Sequence, residues 1–197
     1  MQHSIFSIIL FVGFITIRIK IKIENVYLLL QITISKLINQ MIHLVSTRFN
    51  DITWEENLKY RIKHNLKCIY GTPLEFTQRI SIDANVFVLE MNNSKNQIEG
   101  IGLVKNRPCL DKYYKIYQEG NYNRYIYKSN YHLNREQLLI LNERLVRIFD
   151  HILFKEKSHL KRGSGFTTVS HKLLNHSMCA NLNIVRLLKN IFIDYFT

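Results

Sequence analysis

Apolar and polar positions alternate along several short stretches of this chain and recur at helical spacing along others. Residues 42–47 (IHLVST) place apolar side chains on alternate sides and predict a strand. The segment TWEENLKYRIKH then puts Trp54, Leu58 and Ile62 four apart, the stripe of an amphipathic helix. Asp51 or Thr53 can cap it, and Glu56 stands three residues after Thr53, the spacing of a capping box. Glu55 and Lys59 are spaced to pair on its outer face. Residues 68–70 read as a short strand ended by Gly71-Thr72-Pro73.

The clearest strands follow. Residues 85–90 (NVFVLE) and 97–105 (QIEGIGLVK) are rich in β-branched and apolar residues. The asparagine-rich run 92–96 between them supplies turn chemistry, so the pair predicts a hairpin. Gly100 and Gly102 fall on one face of its second strand. Glycines so placed mark a bulge, a tight bend, or the close approach of another group. Residues 112–131 then carry seven tyrosines, at 113, 114, 117, 122, 125, 127 and 131. They read as a strand, a turn at Glu119-Gly120-Asn121, and a second strand over 122–127.

Two helices close the pattern. Asn134 caps the first, with Gln137 at the capping-box position, and Leu138, Leu141, Leu145, Ile148 and Ile152 trace its apolar face. The second spans 182–196, with Leu187, Leu188, Ile191 and Phe192 inward. Clustered strands flanked by helices predict an α+β domain over 41–197, not a wound parallel sheet. The expected core is a small curved mixed sheet or a β-barrel with a helical C-terminus.

Residues 1–40 have a different texture. IFSIILFVGFITI, residues 5–17, is an uncharged apolar run of 13 residues, short of the roughly 20 a spanning helix needs. Gln2 and His3 precede it, without the positive region of a secretory signal. RIKIKI follows, and then a second apolar stretch over 26–34. Three readings stand: a membrane anchor with its basic flank held on the cytoplasmic side, a structured extension of the domain, or upstream sequence read from too early a start. Met41 opens a segment that reads like a natural beginning.

Charge adds a class of partner. The 27 Lys and Arg against 15 Asp and Glu give +12 and a pI near 9.7, which favours nucleic acid or an anionic surface. Ile, Asn, Lys, Tyr and Phe dominate, as in proteins of AT-rich genomes, and that bias by itself raises Lys. Hydrophobic residues at 47% are enough for a sizeable core. Cys68, Cys109 and Cys179 are odd in number and form no CxxC, so neither a disulfide framework nor a zinc site is indicated.

The richest chemistry lies in KEKSHLKRGSGFTT, residues 155–168. Lys155, Lys157, His159, Lys161 and Arg162 precede Gly163-Ser164-Gly165. Such glycines let backbone N–H groups approach a phosphate. The order is neither that of a P-loop nor that of a dinucleotide fingerprint. The competing reading is a solvated loop with Gly163 as a helix C-cap. Tyr122 and Tyr125, with Arg124 between them, offer faces for base stacking, although tyrosine is also an ordinary strand former. Trp54 fits a base pocket or, from its stripe, the core. Arg48 and Arg107 stand at strand ends, where sites are often built. No GxSxG, HExxH or HxE…CxxC pattern occurs.

The segments HLVSTRFND, NVFVLEMNNS, IEGIGLVKN, YNRYIYK and ILFKEKSHLKRGSGFTT resemble a group of uncharacterised proteins from giant DNA viruses (mimivirus-like). The resemblance covers residues 41 to about 174 and brings no activity with it. It implies a place in the host cytoplasm or virus factory, or at a membrane through the leader. The hairpin VFVLEMNNS…IEGIGLV also looks like the central strands of PUA-like barrels, among them EVE, ASCH and YTH domains. That likeness implies a small curved sheet that binds RNA or modified bases.

The expected function is therefore a nucleic-acid-binding module, for RNA or DNA, without cofactor or metal. Its candidate contacts are Arg48, Arg107, Tyr122, Arg124, Tyr125, His159, Lys161, Arg162, Gly163, Ser164 and Gly165. Two alternatives remain open: a membrane-anchored protein touching lipid through residues 5–17, and a nucleic-acid-processing enzyme with dispersed catalytic residues.

Overall fold

The computed structural model describes residues 42–197 apart from Glu156 and Ser158; the readings of residues 1–40 fall outside these. The chain runs β1 (His43–Phe49), α1 (Asp51–His64), β2 (Cys68–Thr72), β3 (Asn85–Asn92) and β4 (Gln97–Lys105). A 3-10 turn at Gly120–Asn123 leads to β5 (Tyr125–Ser129), β6 (Tyr131–Asn134) and the long α2 (Arg135–Ile152). A two-residue β7 (Thr167–Thr168), a short α3 (His171–Leu174) and α4 (Ile184–Phe196) follow.

The α+β class is as the pattern predicts. Five strands form a mixed sheet in the order β6-β4-β3-β1-β7, with β1 and β3 parallel and the other neighbours antiparallel. The barrel alternative does not hold. β6 and β7 are opposite edges of an open sheet, and β2 and β5 pair apart from it as a two-stranded ribbon. Edges of four and two residues are too short to zip together.

Strand alternation feeds two cores. Leu44, Phe87, Leu89, Met91, Ile101 and Leu133 face α2 and α4, meeting Leu138, Leu145, Phe149, Leu188 and Phe192. Val45, Val86, Val88 and Val104 face the other way, toward the β2–β5 ribbon and the tyrosines Tyr114, Tyr117 and Tyr127. Among the described residues, no helix is long and apolar enough to cross a membrane.

The β3–β4 hairpin forms as expected. Asn92 Oδ1 accepts from the Ser94 and Lys95 N–H groups at 3.0 and 3.1 Å, and Asn96 takes a left-handed φ of 55°. A bulge interrupts the ladder, because Glu90 pairs with Gly100 and Met91 with Ile98. Glu99 is the extra residue, so Ile98 and Ile101, three apart, both enter the same core. Asp150 and Arg135 of α2 hold the bulge: Asp150 accepts from the Ile98 N–H at 2.8 Å and Arg135 donates to the Ile98 carbonyl at 2.8 Å.

Several local readings need correction. The N-cap of α1 is Asn50, whose side chain accepts from the Thr53 N–H at 2.8 Å; Thr53 completes the capping box. Glu56 instead accepts from the Gln118 N–H at 3.2 Å. Ile62 is 80% exposed, and α1 buries Asn57 and Arg61. In α2 the predicted cap forms, with Gln137 N–H donating to Asn134 Oδ1 at 2.8 Å. Leu141 is nevertheless exposed, because the backbone leaves helical geometry at Asn142 and swings it off the stripe.

The tyrosine segment is not a hairpin. Between residues 112 and 130 only β5 is a strand, and its partner is β2. Asn123 supplies the reason: its side-chain oxygen accepts from the Ile116 and Tyr117 N–H groups at 2.9 Å each, and its amide donates to the Tyr117 carbonyl at 2.7 Å. A side chain thus satisfies the backbone that a strand ladder would have used.

Candidate functional site

Arg48, at the end of β1, organises a polar cavity. Its guanidinium donates to the carbonyls of Gly163 (3.0 Å), Leu160 (3.1 Å) and Gly165 (3.0 Å) and to Thr167 Oγ1 (2.8 Å). Burial lowers its pKa, and the nearby Tyr122 hydroxyl opposes that shift. Gly163 and Gly165 take left-handed φ values of 102° and 65°, which turn their carbonyls onto this fork without a Cβ penalty. On the far side of the loop, Phe166 stacks on Phe76 at 4.1 Å and meets Tyr127 edge-on. The glycine loop is therefore fastened on both sides. It is neither a freely solvated loop nor a helix cap, since α2 ends at Ile152, eleven residues before Gly163.

The loop closes one wall of a cavity of about 250 Å³. Thr47, Phe49, Asn50 and Asn93 form a second wall, and Gly71, Tyr117, Glu119 and Tyr122 a third. Gly71 is required here, because a Cβ on it would overlap the Tyr122 carbonyl oxygen. Asn93 is positioned from three directions. Its N–H donates to the Phe49 carbonyl at 2.7 Å, its amide nitrogen donates to the Lys161 carbonyl at 2.9 Å, and its neighbour Ser94 accepts from the Asp51 N–H at 3.2 Å. The remaining Asn93 side-chain oxygen is buried and has no partner among the described residues.

Five of the residues singled out in the sequence line this cavity: Arg48, Tyr122, Gly163, Ser164 and Gly165. Arg48 holds the loop instead of standing free as an anion contact. Lys161 reaches Asn96 Oδ1 at 2.6 Å, His159 Nδ1 accepts from the Lys161 N–H at 3.3 Å, and Arg162 is exposed. Arg124 lies over the Tyr125 ring, 5.5 Å from its centroid, outside the cavity lining. Arg107 is elsewhere, bonded to Asp83 at 2.6 Å. Three of the seven tyrosines, Tyr114, Tyr117 and Tyr127, are buried.

The sequence reading missed a buried ionic group between the sheet and the α1/β2 layer. Glu90 is wholly buried and accepts from the Tyr70 hydroxyl at 2.8 Å, from Arg61 Nη2, and from His132 Nε2 at 3.0 Å. Arg61 Nη1 lies 3.4 Å from the same His132 nitrogen. With that nitrogen donating to Glu90, both atoms are donors and make no bond. The Arg61 guanidinium also sits 5.5 and 5.7 Å from the Trp54 and Tyr70 ring centroids. Gly100 and Gly102 make room for this group. A Cβ at Gly102 would overlap the Tyr70 hydroxyl, and one at Gly100 would lie 2.7 Å from Glu90 Oε2. Burial pushes the Cys68 thiol, beside them, up to about 12. Glu90 and Arg61 are buried and His132 is half-buried at the edge of the cluster, which ties α1 and β2 to the sheet.

The signal for it was present. Glu90 shares a sheet face with Val86 and Val88, and a carboxylate at a core-facing position requires a buried cation. Among the described residues, no group of three His, Cys, Asp or Glu is placed to hold a metal ion. The chain matches no protein-family model, no curated protein and no solved structure at a significant level.

Proposed function

We propose that this domain is a nucleic-acid-binding module that takes one unpaired base into the cavity beside Arg48 and holds flanking phosphates on the basic residues next to the glycine loop. The observation that carries this reading is the composition of the cavity wall. The aromatic side chains of Phe49, Tyr117 and Tyr122 stand with the polar Asn50 and Asn93 and with the acidic Glu119. A nucleobase offers what such a wall asks for: a flat π-face and an edge of N–H donors. Lys161 and Arg162, two positions and one position before Gly163, supply the charge for the sugar–phosphate chain.

Replacing Tyr122 with alanine lowers affinity for a single-stranded oligonucleotide by about 5- to 150-fold, the loss of one stacked base. The slope of log affinity against log salt stays at the parent value. Lys161→Ala with Arg162→Ala weakens binding and flattens that slope. Fluorescence anisotropy across a salt series measures both. Unchanged affinity in the Tyr122 variant excludes the base pocket.

A further inference from the structure

A second concave surface lies between α1 and residues 112–118, and its lining is strongly cationic. Lys59 and Lys63 project from α1, and Lys112 and Lys115 face them from the tyrosine segment. All four are exposed. The one carboxylate in the lining, Glu56, accepts from the Gln118 N–H. Lys59 also meets Glu55 at 3.4 Å, so the four cations stand against two carboxylates, Glu55 and Glu56, and the groove keeps a net positive charge. Tyr113, 70% exposed, and Tyr60 stand among these lysines.

The groove and the base cavity are neighbours along the chain. Tyr117 lines both, and Glu119 of the cavity is two residues further along the same stretch. Concavity, lysines and interleaved rings are the features of a channel that follows a single strand, with lysines on phosphates and rings on bases. A lipid surface would be met by a convex or flat apolar face flanked by charge.

We propose that this groove carries the sugar–phosphate backbone of the strand whose base enters the cavity, so that the site reads a segment of single-stranded nucleic acid and not an isolated nucleotide. The inference rests on the base-pocket reading above. Lys112 and Lys115 each hold a phosphate, and Tyr113 stacks on a base outside the cavity.

The test is a salt titration of the full chain with a labelled single-stranded oligonucleotide, beside Lys112→Ala/Lys115→Ala and Tyr122→Ala. Each phosphate contact contributes about 0.7 to the slope of log affinity against log salt for a single strand. The lysine variant should therefore flatten the slope by about 1.4, while Tyr122→Ala lowers affinity at an unchanged slope. A parent slope retained in the lysine variant, with the Tyr122 effect present, overturns the groove and leaves the base pocket standing. A flattened slope with no Tyr122 effect supports the groove and removes the pocket. Lysine-dependent binding to phosphatidylserine vesicles, with no oligonucleotide binding, overturns both.

Discussion

Replacing Glu90 with glutamine lowers the stability of the domain by about 3–5 kcal/mol, the cost of leaving a buried charge without its partner. Arg61 is only 5% exposed and Glu90 is its counter-charge. Glutamine keeps the shape of the side chain but loses the negative charge that Arg61, Tyr70 and His132 all address. Against a net stability of about 5–15 kcal/mol this is a large fraction. The shift appears as a lower urea midpoint at constant slope. Replacing Arg61 and Glu90 together with methionine recovers much of the loss, because a buried pair exchanged for apolar residues is often close to neutral. A loss below about 1 kcal/mol in Glu90→Gln would show that the tie is dispensable.

The same group sets an acid limit. Burial alone would raise the Glu90 carboxyl, but the Arg61 guanidinium and His132 hold it down to about 2. An unfolded glutamate titrates near about 4.3. The folded value is the lower one, so this contribution is complete above about pH 4.3 and is lost as pH falls toward 2. The parent urea midpoint declines across that window, and the Glu90→Gln midpoint declines less.

Arg48 carries the second large effect. One planar fork satisfies three carbonyls and a hydroxyl of the 160–167 segment. Arg48→Lys keeps the charge and loses the fork, and an ammonium cannot match that set of directions. Stability falls by about 2–4 kcal/mol as two or more carbonyls lose their donor. The released loop exposes Lys161 and Arg162 to trypsin, so cleavage there accelerates, and hydrogen exchange at 160–167 rises. Oligonucleotide affinity falls with it, because the loop is a wall of the cavity. Parent-like protection in Arg48→Lys would mean that charge alone holds the loop.

Much of the scaffold was legible in the sequence because its determinants are local. The Asn134–Gln137 cap and the 92–96 turn each depend on side chains within a few residues, and both form as the pattern predicts. What could not be read depends on distant pairing. Trp54, Leu58 and Ile62 make a plausible stripe, yet Asn57 and Arg61, also four apart, are the buried pair. A period counted over apolar residues cannot register a helix turned inward by an ionic partner on β3. The tyrosine run offered two strands, and one asparagine side chain removed the first of them. For the cavity, Arg48 and the glycines stood out locally. Asn93 and Tyr117 did not, since their roles arise where a hairpin turn and an irregular segment meet the end of β1.

The most direct measurement is the affinity of the full chain for labelled single-stranded RNA, single-stranded DNA and duplex DNA at two salt concentrations. A base pocket fed by a cationic groove predicts binding that weakens steeply with salt and favours a single strand over the duplex. Equal, weak binding to all three ligands would contradict it and reduce the +12 charge to a consequence of composition.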